Sequence, residues 1–194
     1  MANKEPKLIL ASQSPRRKEL LALAGFDFIV RARPVKEERR ADEAPVEYAK
    51  RLAREKAHAA WDRLDEVALG ADTIVVVRDA ELGDVVLEKP RDEDDARAML
   101  RMLSGREHVV ITGICFRTAA GAIVDHSETS VRFAPMSAAE IDDYVASGEP
   151  MDKAGAYAIQ GLASKFVEKV DGCYFNVVGL PVSLVYRYLR KLGF

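Results

Sequence analysis

Arg16 and Arg17 stand in what reads as the first turn of a helix, where a cation has the wrong sign. The stretch LILASQSPRRKELLALAG begins as a strand, breaks at Ser12-Gln13-Ser14-Pro15 and resumes as an amphipathic helix. Ser14 suits the N-cap and Pro15 the first helical position. A helix N-terminus carries partial positive charge, so each arginine there forgoes or opposes roughly 0.3–1 kcal/mol. An anionic ligand reverses that sign. Backbone N–H groups, the Ser12 and Ser14 hydroxyls and two guanidinium forks would together cradle a phosphate. The alternative is two arginines turned to water.

Further residues stand out by type and place. Lys56 falls four residues after Leu52 and four before Ala60, on an apolar stripe. It is either a snorkelling stem or a cation aimed into a pocket. Asp72 interrupts the apolar run EVALGADTIVVV and is the most conspicuous acid of the chain. Lys89 and Lys153 are cations, and Glu37 and Asp152 acids, near strand ends or in loops. A phosphate-rich substrate needs several cations, and a hard metal such as Mg²⁺ needs one or two carboxylates plus substrate oxygens, so the two sets explain each other. G-x-x-x-x-G-K-[ST] and a post-strand G-x-G-x-x-G are both missing, which argues against P-loop and Rossmann sites. His58, His108 and His126 lack ligand spacing and read as surface or satisfied core residues. Ser14 is followed by proline and lies in no G-x-S-x-G elbow, so metal-activated water fits better than a covalent nucleophile.

The elements that must position these residues follow from periodicity. After a first helix closing at Gly25, FDFIVRARPVKEERR reads as a short strand and a charged loop. Pro45 opens a helix whose buried face is expected to be Val46, Ala49, Leu52, Ala53, Ala57, Ala60, Trp61 and Leu64. The Asp72 strand reads as buried on both faces and turns around 81–84 into VVLEKP, a hairpin. RDEDDARAMLRMLSG reads as a helix with acids at its N-terminus and Gly105 at its end. Two strands follow around Ala-Ala-Gly-Ala, and Ser137 with Glu140 forms a capping box for a helix through Val145. GEPMDKAGAYAIQG is too interrupted for a regular element. FVEKVDGCYFNVVGLPV reads as strand before Pro181 opens a terminal helix. Strands and helices alternate early and strands cluster late, which points to an α/β fold with a mixed, twisted sheet.

At 194 residues the chain suits one domain, 1–194, with room for two lobes around a cleft. No apolar run approaches the roughly 20 residues that span a bilayer. The N-terminal MANKEPK has no secretory h-region, so a cytoplasmic location is expected. Cys115 and Cys173 form no C-x-x-C and read as small core residues. A net charge of −2 offers no bulk attraction for nucleic acid, so cations must act locally.

LASQSPRRKELL, LGADTIVV, LEKPRD, MLSG, EPMDKAGAYAIQG and VVGLP resemble, in order and spacing, the Maf family of nucleoside triphosphate pyrophosphatases. The resemblance covers almost the whole chain. It implies an inosine-triphosphatase-like fold with flanking helices and a central cleft, a divalent metal (Mg²⁺ or Mn²⁺), a homodimer, and hydrolysis of a nucleotide to monophosphate and pyrophosphate. By motif it assigns Ser12, Arg16 and Arg17 to phosphate binding, Lys56 to the REKA helix, and Asp72 to the role of proton acceptor. Lys89, Lys153 and Gln160 match the EKP lysine, the DKAG lysine and the IQG glutamine. Where relatives often read Val-Asp/Glu-Glu, this chain has Val35-Lys36-Glu37-Glu38; Glu37 aligns best as the metal-supporting carboxylate beside Asp72, with Glu38 the substitute. Ala158 stands where relatives often have Gly.

Arg16, Thr73 and Gln160 occupy positions at which branches of the family differ. The branch resembling 7-methylguanosine-triphosphate hydrolases tends to carry Trp, Gln and Glu there, an aromatic and an acid suited to a cationic purine. Arg, Thr and Gln instead offer donors and acceptors for the edge of a pyrimidine. The resemblance therefore implies dTTP and UTP, with 5-modified uridine nucleotides, as substrates and a house-cleaning role. A nucleotide-binding regulator of septum formation with little turnover is the rival reading.

Overall fold

The structure, a computed structural model, describes residues 7–79 and 83–194. The expected turn at 81–84 and the N-terminal MANKEPK reach outside the described residues. Among the described residues seven strands form a mixed sheet flanked by helices: β1 (Lys7–Leu10), β2 (Ile29–Val30), β3 (Glu66–Asp79), β4 (Gly83–Leu87), β5 (Glu107–Thr118), β6 (Gly121–Phe133) and β7 (Val167–Gly172). Their order is β2-β1-β3-β5-β6-β7, with β4 also paired to β3. By compactness the chain divides into two units. One holds the residues up to Asp72, Thr112–Ser127 and Gly179–Phe194; the other holds Thr73–Ile111 and Glu128–Val178.

In the first unit β1 runs parallel to β2 and to β3, pairing Ile9 with Ile29 and with Ala68. Leu8, Ile9, Leu10 and Ala11 are all buried, as expected of a parallel strand covered on both faces. Helix α1 (Pro15–Leu23) starts where the sequence predicts, but the Ser14 side chain makes no cap; its N–H donates instead to Ser12 Oγ at 3.2 Å. Helix α2 (Pro45–Ala60) lies on the sheet backbone itself. A Cβ added to Gly70 would stand 2.2 Å from the carbonyl oxygen of Ala53, and one added to Gly113 would stand 2.4 Å from that of Ala49. The alanine-rich face of α2 and the two strand glycines thus permit one close approach.

That approach corrects the predicted stripe. Pro45 and Tyr48 are buried in place of Val46, and Leu64, beyond the helix end, is 77% exposed. The loop between β2 and α2 is pinned at both ends. Arg31 forks onto Glu66 at 2.7 and 2.9 Å, and Arg51 of α2 grips Glu43 at 2.6 and 2.9 Å and the Glu38 carbonyl at 2.9 Å. Those guanidinium forks hold the Glu66 and Glu43 carboxyls down at about 2.

In the second unit β3 and β4 form the expected antiparallel hairpin, with Val75 opposite Leu87. Helix α3 (Glu93–Leu103) is capped by Asp92, which accepts from Asp95 N–H at 2.8 Å, and stops at Gly105, whose φ is 66°. Helix α4 (Ala138–Ala146) carries the capping box of Ser137 and Glu140 in full. Residues 149–166 form three short 3₁₀ turns, in keeping with their interrupted sequence.

The predicted strand through 166–180 ends early, at Gly172 (φ 124°), and α5 (Tyr174–Val178) follows. A buried asparagine decides this. Asn176 Nδ2 donates to the Val110 carbonyl and to Thr129 Oγ1, each at 3.0 Å, and these anchors need a turn. Pro181 consequently occupies the N-cap position of α6 (Val182–Lys191), one residue before the helix it was expected to open. Cys115 is buried and its thiol is pushed up to about 12 by burial, whereas Cys173 is only half-buried and is not a core residue. His108 is a core residue, with Nδ1 lacking a partner. Among the described residues no helix is long and apolar enough to cross a membrane.

Candidate active site

The first unit gathers six of the predicted residues: Ser12, Arg16, Arg17, Glu37, Lys56 and Asp72. Lys56 leaves α2 with its ammonium 2.6 Å from Asp72 Oδ1 and 2.6 Å from Glu37 Oε1. It is a cation inside the protein, not a snorkelling stem. The loop pinned by Arg31 and Arg51 brings Glu37 to this point, while Glu38 turns away to pair with Lys36 at 2.8 Å.

Arg17 is oriented by two oxygens. Its Nε donates to the Gly179 carbonyl at 2.8 Å and its Nη1 to Ser12 Oγ at 3.3 Å. Gly179 lies in VVGLP, so the signal for this anchor was in the motif, although nothing local linked it to Arg17, 162 residues away. Arg16, the neighbouring cation, is half-buried.

Burial governs the electrostatics of this cluster. Withdrawn from water, the Asp72 carboxyl is pushed above its ordinary range, and the nearby charges of Lys56 and Arg17 pull the other way. Burial likewise lowers the Arg17 guanidinium, opposed by Asp72. The result is a buried carboxylate with heightened proton affinity, balanced by cations on either hand. Asp72 and Glu37 also suit a hard divalent ion in chemistry, since both reach one ammonium that stands between them as a cation. Among the described residues no group of three or more His, Cys, Asp or Glu side chains could hold a metal by itself. Such an ion would therefore complete its shell with water and substrate oxygens, as Mg²⁺ ordinarily does.

The second unit carries Thr73, Lys89, Lys153 and Gln160. Thr73 is half-buried, and Lys89 and Gln160 are exposed. Lys153 Nζ pairs with Asp152 and donates to the Glu149 carbonyl at 3.3 Å. Around Gln160 the structure organises two side chains that sequence reading did not single out. Tyr144 Oη donates to Glu149 Oε1 at 2.8 Å and accepts from Ala158 N–H at 3.2 Å, and Glu149 Oε2 accepts from Leu162 N–H at 3.1 Å. Tyr144 falls on the apolar face of α4 with Ile141 and Val145 and so reads as core, and only its place at the edge of the EPMDKAGAYAIQG motif marked Glu149.

The family model described as "Maf-like protein" matches residues 7–192. A protein of Koribacter versatilis called dTTP/UTP pyrophosphatase is 52% identical over 187 residues, covering 96% of this chain and 94% of that protein. One of Anaeromyxobacter dehalogenans, also called dTTP/UTP pyrophosphatase, is 50% identical over 193 residues, 97% of this chain and 95% of that protein. Among solved structures the Staphylococcus aureus Ham1 protein superposes with a TM-score of 0.55 at 14% identity, over 95% of this chain and 98% of that one. That likeness concerns the fold alone, and it meets the expectation of a mixed sheet with flanking helices.

Proposed function

The chain belongs to the Maf-like protein family, and from that premise we propose that it hydrolyses dTTP and UTP, with modified pyrimidine nucleotides, to the monophosphate and pyrophosphate. The observation that carries this is identity of about half the residues, over nearly full length, with proteins called dTTP/UTP pyrophosphatase. The Lys56, Asp72 and Glu37 cluster beside a braced Arg17 supplies the chemistry such a reaction needs.

Water adds across the α–β anhydride. Asp72 orients that water and accepts its proton, a role that its raised proton affinity favours and that the Lys56 contact prepares by fixing one carboxylate oxygen. Arg17, steered by Gly179 and Ser12, offers a fixed positive charge to phosphate oxygens. Glu37 and Asp72 would hold a divalent metal, Mg²⁺ or Mn²⁺. Such an ion, when bound, polarises phosphoryl oxygens and acidifies water. Motif assigns Arg16, Thr73 and Gln160 to the base, and Lys56, Lys89 and Lys153, with Arg17, to the triphosphate oxygens and the charge developing on departing pyrophosphate. A homodimer working in the cytoplasm, where the triphosphate pool lies, completes the proposal.

Purified protein incubated with UTP or dTTP and Mg²⁺ or Mn²⁺ should yield the nucleoside monophosphate and pyrophosphate. UDP with orthophosphate would overturn the choice of bond. Stoichiometric binding without turnover would return the regulator reading. Preference for 7-methyl-GTP across a triphosphate panel would overturn the base assignment.

A further inference from the structure

Gln160 sits on a segment whose two flanks are tied to one carboxylate. Upstream, Ala158 N–H donates to Tyr144 Oη, which donates in turn to Glu149 Oε1; downstream, Leu162 N–H donates to Glu149 Oε2. Gly161 between them has a negative φ of −105°, so no left-handed conformation calls for glycine here. Space does. A Cβ at Gly161 would stand 2.1 Å from Glu149 Oε2, and its three nearest atoms would all be the Glu149 carboxylate. Tyr144 is buried, and both burial and Glu149 push its hydroxyl up, so it stays a donor. Lys153, through its bond to the Glu149 carbonyl, hangs on the same residue.

We propose that Tyr144 and Glu149 form a clamp that positions Gln160 and so sets base selectivity, with Gly161 left bare to let the carboxylate in. The proposal deepens the function given above and rests on the assignment of Gln160 to the base. Its physical ground is that edge-on hydrogen bonding discriminates only when the reading side chain is held still by its surroundings. An exposed glutamine in the turn that precedes the 3₁₀ helix at Leu162–Phe166 has little burial to hold it. Tyr144 and Glu149 are positioning residues, acting through the backbone at 158 and 162.

The test compares Gly161→Ala, the volume-conserving Tyr144→Phe, Glu149→Ala and the double variant Gly161→Ala/Glu149→Ala. Each is read by amide exchange at Ala158 and Leu162, by kcat/KM for dTTP, UTP and GTP, and by inhibition with tripolyphosphate, which has no base. Gly161→Ala and Tyr144→Phe should speed exchange at both amides and lower kcat/KM for dTTP and UTP by about tenfold, roughly one lost hydrogen bond, chiefly through KM. GTP turnover and tripolyphosphate inhibition should stay put. In the Glu149→Ala background Gly161→Ala should add nothing, because the atoms it would strike are gone. Unchanged exchange and selectivity in Gly161→Ala, or an equal loss for every triphosphate and for tripolyphosphate, would overturn the proposal. A Gln160→Ala control separates it from the reading beneath: an untouched dTTP-to-GTP ratio there removes Gln160 from the base, and the selectivity claim falls even where exchange still reports the clamp.

Discussion

Lys56→Met keeps a stem of similar volume and removes the charge that Asp72 and Glu37 share. The two halves of that contact differ in weight. The Lys56 and Asp72 side chains are 13% and 10% exposed, whereas Glu37 is 44% exposed, so its pairing is discounted to the surface range of about 0–1 kcal/mol. Removing one partner of a buried pair costs about 3–5 kcal/mol. Arg17 still faces Asp72, which sets the expectation at the lower end, about 3 kcal/mol, or about 6–12 °C in Tm for a chain of this size. The pH dependence identifies the cause. Burial already raises the Asp72 carboxyl, and loss of Lys56 raises it further, so the folded state keeps a proton that the unfolded chain releases. Stability then falls as pH rises through the folded-state pKa and returns on acidification. The deficit of Lys56→Met against the native protein should shrink as the pH is taken from neutral down into the ordinary carboxylate range. Calorimetry across that range, with steady-state dTTP hydrolysis, measures it. In Lys56→Met/Asp72→Asn most of the stability should return while turnover does not. Equal melting at neutral pH with unchanged kinetics would refute the argument, and a deficit independent of pH would reassign it to packing.

Asp72→Asn should keep the fold, at a stability cost limited by the Glu37 pairing that Lys56 retains, and lose roughly 10²–10⁴-fold in kcat, the usual contribution of a general base; near-native turnover would remove Asp72 from that role. His108, buried with Nε2 2.9 Å from Tyr157 Oη, is held down to about 4 by burial, so the unfolded chain binds its proton first as pH falls. Stability should therefore decline between about pH 6.5 and 4, by about 3 kcal/mol in all, and His108→Gln should flatten that decline in pH-dependent melts. Gly113→Ala would drive a methyl into the Ala49 carbonyl and should cost about 1–3 kcal/mol and, by lifting α2, lower kcat as well; denaturant unfolding and kinetics read both.

Much of the fold was legible because its signals are local. The strand, break and helix around Ser12 to Arg17, the apolar run through Asp72, the acid-capped α3 and the Ser137–Glu140 box are each decided within a few residues by φ preferences, caps and periodicity. Motif order along the chain was equally legible and carried family and substrate class. Contacts between distant segments were not. Tyr48 took the place of Val46 because α2 rests on Gly70 and Gly113, whose missing side chains set the depth and rotation of the helix. Residues 174–178 formed a helix, where alternation read strand, because Asn176 bonds to Val110 and Thr129, 66 and 47 residues away. Lys56 could be named from its odd place on an apolar stripe, but whether it snorkelled or carried charge inward depended on Glu37 and Asp72 arriving at the same ammonium. The sequence by itself thus determined which residues carry charge where charge is unexpected, since that follows from local pattern. Tertiary structure alone decided which of them meet, because the energy of a buried ion pair or a bracing hydrogen bond depends on distance and desolvation, and neither is written in spacing along the chain.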